Sequence, residues 1–200
     1  MLIQSETINL IEQKGLLLLG GAKRNVGKTT LLCRIIAHFS ENHQIAALKI
    51  KTIYDGDDFF HGKNQSQAIN EFILTKEDNA GTNEDTGKML RAGAKEAYLL
   101  RAKSAFLKQG FEKFLSEISN QYLIICESNS LRLIVKPDLF LFVQDEAAVE
   151  IKPSALKLVH LADRIIISNG ITHDFAPGNL NINNDRWEFR EFKSENYGKF

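Results

Sequence analysis

Gly27, Lys28 and Thr29 stand together near the middle of "LLLLGGAKRNVGKTTLLCRI", Leu16 to Ile35. Their types and order suit the capture of a phosphate chain. A buried strand that feeds a tight turn and then opens a helix aims backbone N–H groups at one point, where an anion is stabilised. Gly27 lets the backbone approach a ligand closely, Lys28 sets a cation on the outer phosphates, and the Thr29 hydroxyl reaches a phosphate-bound Mg²⁺. The spacing G-x-x-x-x-G-K-[ST] is met everywhere except its first position, which is Ala22, preceded by Gly20 and Gly21. Ala22, Lys23, Arg24, Asn25, Val26, Gly27, Lys28, Thr29 and Thr30 are therefore the expected triphosphate-binding segment. The plainer alternative is a strand-turn-helix with an incidental lysine.

A metal bridging such a loop and its phosphates needs a second acidic group, normally at the end of a neighbouring buried strand. "YLIICESNS" offers Glu127, whose carboxylate after four apolar residues is costly to bury without a cation. It is either a metal-linked group, with Thr29 as the other ligand, or a strand-end carboxylate or helix cap. The cluster "YDGDD" follows the strand that carries Lys49 and Lys51. There Asp55, Asp57 or Asp58 supplies a metal contact or orients water, or else the cluster is a solvated turn. Lys28, Glu127 and Asp55 are the expected catalytic set.

These groups need a frame, and the chain supplies recurrent apolar runs with helical patterns between them. The runs Leu16–Leu19, Ile45–Ile50, Glu71–Thr75, Ala97–Leu100, Tyr122–Cys126, Asp138–Val143 and Arg164–Ser168 read as strands, several of them too continuously apolar for a sheet with one wet face. An α/β fold follows, a mostly parallel sheet with helices on both faces. Leu31, Leu32, Ile35, Ile36 and Phe39 mark one helical face, and Phe106, Leu107, Phe111, Phe114, Leu115 and Ile118 another. Tyr54–Gln67 and Lys76–Thr86 read as loops, the segments that bind ligands at the carboxyl ends of strands. Residues 1–172 form the expected nucleotide-binding domain and 173–200 an extension docked on it. In that extension the alternating piece Trp187 to Phe192 is expected to add an edge strand, with the only tryptophan used in packing.

Lys plus Arg equals Asp plus Glu, 25 against 25, so no overall field draws the chain to nucleic acid or to an anionic membrane. Cys33 and Cys126 are expected as buried thiols in a reducing, cytoplasmic setting, and the N-terminus lacks the pattern of an export leader.

"AKRNVGKTTLL", the strand "ALKIKT" and above all "DTGKMLRAGAKEAYLL" resemble the molybdopterin-guanine dinucleotide biosynthesis protein B family. In that family the loop commonly begins with alanine, the second strand ends in lysine, and a later segment carries Asp-Ser followed by Arg-x-Ala-Gly-Ala. Asp85-Thr86 and Ala92-Gly93-Ala94 match the last of these, and the likeness covers roughly residues 15–145. The resemblance implies a P-loop NTPase fold and a homodimeric GTP-binding protein with weak Mg²⁺-dependent GTPase activity. It also implies work beside a molybdenum-cofactor maturation protein, in attaching a guanine nucleotide to molybdopterin. By the same analogy Lys28 and Thr29 hold the outer phosphates and Mg²⁺, while Lys49 and Asp85 line the nucleotide or pterin end of the cleft. The family's histidine-rich segment is here "IKTIYDGDDFFHG", with only His61.

GTP-binding relatives often carry Asn-Lys-x-Asp after a late strand, and here "ADRIIISNGIT" offers Asn169 without the acid, which leaves ATP possible. Asn169 either touches the base or closes a turn with Gly170. Two other classes use the same loop. A nucleotide-switched dimer resembling the partitioning and cell-division ATPases would send Lys23 to its partner's phosphate, and a small-molecule kinase would use Asp55 or Asp58 as acceptor base.

Overall fold

The computed structural model describes residues 10–53, 70–147 and 153–191. In chain order its elements are β1 (Ile11–Glu12), β2 (Leu16–Gly21), α1 (Lys28–Phe39), β3 (Ile45–Ile53), β4 (Phe72–Glu77), α2 (Asp85–Arg91), β5 (Glu96–Lys103), α3 (Leu107–Glu117), β6 (Leu123–Glu127), β7 (Val135–Lys136), β8 (Leu139–Asp145), α4 (Pro153–Val159), β9 (Arg164–Ser168), β10 (Leu180–Asn183) and β11 (Arg186–Phe189).

Seven of the strands form one sheet in the order β4–β5–β3–β6–β2–β8–β9. Every neighbouring pair is parallel except β4 with β5. A parallel sheet of this kind needs cover on both faces, and the alternation along β2 shows it. Leu17 and Leu19 enter a core with Leu31, Ile35 and Met89 of α1 and α2, whereas Leu16 and Leu18 enter one with Phe111, Phe114 and Leu158 of α3 and α4. All seven apolar runs read from the sequence are strands of this sheet; the helical face of α1 is buried, and that of α3 is buried at Leu107, Phe111 and Phe114 and half-buried at Phe106, Leu115 and Ile118.

Two expectations are corrected. The loop expected over Lys76–Thr86 is shorter, because β4 continues to Glu77 and α2 begins at Asp85. As an edge strand β4 exposes Thr75 and Lys76, so its sequence looks like loop, yet Lys76 and Glu77 pair with Tyr98 and Ala97 of β5. The second concerns the chain end. β11 adds to no edge of the central sheet; it pairs antiparallel with β10, across a turn in which Asn184 and Asp185 adopt φ of 50° and 57°. Trp187 fastens this hairpin below α1, its Nε1 donating to the Gly15 carbonyl at 3.0 Å and its ring meeting Phe39 edge-on at 5.0 Å. No helix among the described residues is long and apolar enough to cross a membrane.

Candidate functional site

The site begins where β2 runs out. Ala22, the first residue past the strand, is still tied to the sheet, its N–H donating to the Val143 carbonyl at 2.9 Å and its side chain buried. Val26 is buried in the core beneath α1, so these two positions anchor the loop from within. Between them Lys23, Arg24 and Asn25 are exposed. Gly27 precedes α1 with φ of 85°, a left-handed conformation that favours glycine, and a Cβ there would stand only 2.9 Å from His173 Nε2. No side chain caps α1 and its first turn holds no acidic residue. Its leading amides, which lack intrahelical partners, thus carry the positive end of a helix dipole into the cleft.

Lys28 folds back over the loop, Nζ donating to the Lys23 carbonyl at 2.7 Å. Thr29 Oγ1 donates to Glu127 Oε2 at 2.7 Å, across 98 residues of sequence. Sheet register brings this about: β6 lies between β2 and β3, placing Glu127 beside Leu19 on one side and Lys49 on the other. Glu127 is only 4% exposed, and the Lys49 ammonium is in contact with its other oxygen. Lys49 also meets Asp85 at 3.2 Å, and Asp85 meets Lys88 at 3.2 Å. Burial works to raise the Asp85 pKa, but the neighbouring Lys49 and then Lys88 outweigh it and hold the carboxyl below its usual range.

Together these residues wall a cleft of about 630 Å³ that also takes in Arg24, Asn25, Thr30 and Lys51. Arg24, Lys28, Lys49, Lys51 and Lys88 face it against Asp85 and Glu127, a positive excess suited to a polyanion in a chain of balanced charge. Neighbouring oxygens in an octahedral Mg²⁺ shell stand about 3 Å apart, so the Thr29 and Glu127 oxygens fit as two of its ligands. Among the described residues no group of three or more His, Cys, Asp or Glu side chains is placed to hold a metal by itself.

Other expected residues take different places. The acidic cluster with Asp55, Asp57 and Asp58 lies outside the described residues, as does His61. Asn169 Oδ1 accepts from the N–H groups of Ile171 at 3.0 Å and Thr172 at 2.8 Å, closing a turn, and it is Gly170 that lines the cleft. Lys23 Nζ stands 2.5 Å from Asp145 of its own chain and holds that carboxyl below its usual range. In the Asp85–Ala94 segment only the first end faces the cleft. Gly93, with φ of 105°, closes α2 so tightly against α1 that a Cβ would overlap the Ser40 hydroxyl. Both cysteines are free, and burial pushes the Cys33 thiol up to about 11.

Two positioning residues escape sequence reasoning because their partners lie more than a hundred residues away. Asn129, two places after Glu127, holds the end of β2 through both halves of its amide: Oδ1 accepts from Gly21 N at 2.8 Å and Nδ2 donates to Gly21 O at 2.9 Å. Asn129→Ala removes both bonds and is expected to cost about 1–3 kcal/mol in chemical denaturation; an unchanged midpoint would contradict this role.

His173 is the second. Its Nε2 lies 3.1 Å from the Gly27 carbonyl, which only accepts, and its Nδ1 lies 3.5 Å from an Arg34 nitrogen, which only donates. The two partners select the neutral tautomer with the proton on Nε2. Burial first, and then the Arg34 cation, push its pKa below the ordinary histidine value against the pull of the Gly27 carbonyl. The unfolded chain therefore takes up this proton more readily, and stability falls as pH drops below about 6.5 toward the depressed folded value. Wild-type melting temperature is expected to fall more between pH 7.5 and 5.5 than that of His173→Gln, whose amide supplies the same donor and acceptor. Parallel pH profiles would remove His173 from the account.

Comparison with family models, with curated proteins and with solved structures gave no match.

Proposed function

We propose that the chain is a P-loop protein of NTPase-like fold that binds GTP with Mg²⁺ and hydrolyses it slowly, ATP being the competing nucleotide. The observation that carries this reading is the triad of contacts at the loop: Lys28 over the loop carbonyl, Thr29 on Glu127, and Lys49 beside the same carboxylate. On binding, Lys28 exchanges the Lys23 carbonyl for an outer phosphate oxygen while the leading amides of α1 cradle the chain. Thr29 and Glu127 are the residues that would hold Mg²⁺, which neutralises charge on the phosphates. Lys49, in contact with the other carboxylate oxygen, keeps Glu127 aimed.

Asp85, from the segment that carries the family resemblance, lines the same cleft, which supports a role as a homodimeric accessory to a molybdenum-cofactor maturation protein during guanylylation. Purified chain should release phosphate from GTP slowly, and chelation of Mg²⁺ should stop it. Turnover that persists without the metal would count against the assignment of Thr29 and Glu127. Faster guanylyl transfer to molybdopterin on adding the chain to a reconstituted reaction tests the accessory role, and no effect would count against it.

A further inference from the structure

A second cleft, of about 680 Å³, opens on the α4 side of the loop. It meets the first at Arg24, Lys28, Lys49, Thr52 and Glu127, which line both. We propose that it binds a second ligand: a small molecule with an apolar, ring-sized body and an oxyanion, phosphate or carboxylate, seated next to the outer end of the triphosphate. The ligand's place beside the triphosphate rests on the nucleotide reading above; the cleft's preference for an apolar anion rests on its own walls.

Three features of those walls carry the inference. The first is apolar surface left open. Leu133, 46% exposed, lines the cleft together with the buried Ile50 of β3 and Ala155 and Leu158 of α4. A ring laid on Leu133 would remove apolar area from water that the fold itself leaves wet. The second is a row of hydroxyls. Ser130 Oγ lies 2.5 Å from Thr52 Oγ1 and 3.2 Å from Ser128 Oγ, which in turn accepts from the Leu131 N–H at 3.1 Å. Each hydroxyl both donates and accepts, so the row gives this wall of the cleft polar groups that an oxyanion can meet.

Charge is the third. Lys23, Arg24, Lys28, Lys49 and Lys157 line the cleft with Glu127 as the one lining carboxylate; Asp145 answers Lys23 and Asp85 shares Lys49 from outside it, which still leaves more cations than carboxylates in a chain balanced at 25 against 25. Such an excess favours an anion. Lys157 and Leu133 belong only to this cleft, so they separate its ligand from the nucleotide.

The test titrates full-length, isotope-labelled protein with 1-naphthyl phosphate, 1-naphthoate and uncharged 1-naphthol, followed by amide shifts and calorimetry. Both anions are expected to saturate one site, to shift Ser128, Ser130, Leu133 and Lys157, and to bind at least about tenfold more tightly than naphthol. Lys157→Glu and Leu133→Asp, both at exposed positions, should each weaken the anions about tenfold and leave affinity for Mg²⁺·GTP within about twofold. Naphthol binding as tightly as the anions, shifts confined to other surfaces, or both variants binding like wild type would overturn the proposal. Failure of GTP to bind while naphthyl phosphate behaves as described would strike the nucleotide reading alone.

Discussion

Lys28→Ala is expected to weaken nucleoside triphosphate binding by at least about a hundredfold while leaving the fold in place. The side chain crosses Gly21 and ends on the Lys23 carbonyl at the mouth of the cleft, so it faces ligand space rather than core. Charge-assisted hydrogen bonds to an anion contribute about 1.5–3 kcal/mol each, and two of them account for the expected loss. Loss of a half-exposed lysine at a loop leaves the apolar cores on both faces of the sheet untouched, and the melting curve should stay within a few degrees of wild type. An unfolded variant, or one that binds as before, would show that the loop is a structural turn.

Glu127→Gln should separate binding from hydrolysis. The amide keeps an acceptor for Thr29 and nearly the same volume, and Lys49 retains Asp85 as a counter-ion at 3.2 Å. The full cost of breaking a buried pair, about 3–5 kcal/mol, is therefore not expected. What disappears is the negative charge that serves the metal or the attacking water. Turnover should drop about a hundredfold with affinity held within about fivefold, a pattern that marks a group acting in the transition state. Equal loss of both would make Glu127 a structural carboxylate.

The central strands of the sheet were legible because each is a run of apolar residues with no wet face to interrupt it, as in "LLLL" and "LIIC". The loop was legible for a different reason: Gly27, Lys28 and Thr29 are a local pattern whose chemistry depends on neighbours in sequence. What the sequence did not disclose was strand order. Nothing in "YLIICESNS" says that β6 lies between β2 and β3, yet that placement alone sets Glu127 against both Thr29 and Lys49. Asn129 and His173 stayed hidden likewise, since their partners Gly21 and Gly27 lie 108 and 146 residues away.

The hairpin of β10 and β11 was misplaced because an alternating segment specifies a strand but not its partner. Asn184 and Asp185, with positive φ, were the local sign that it pairs with the strand just before it. The Asp85–Ala94 segment shows how one motif divides between two tasks. Asp85 at its start faces the cleft, and Gly93 near its end closes α2 onto Ser40.

The central claim, that the loop between β2 and α1 holds a nucleoside triphosphate, is tested most directly by equilibrium binding of GTP and ATP, each with and without Mg²⁺, to the wild-type chain. The account predicts saturable binding that Mg²⁺ strengthens, with GTP preferred. Failure of both nucleotides to bind in the presence of Mg²⁺ would contradict it.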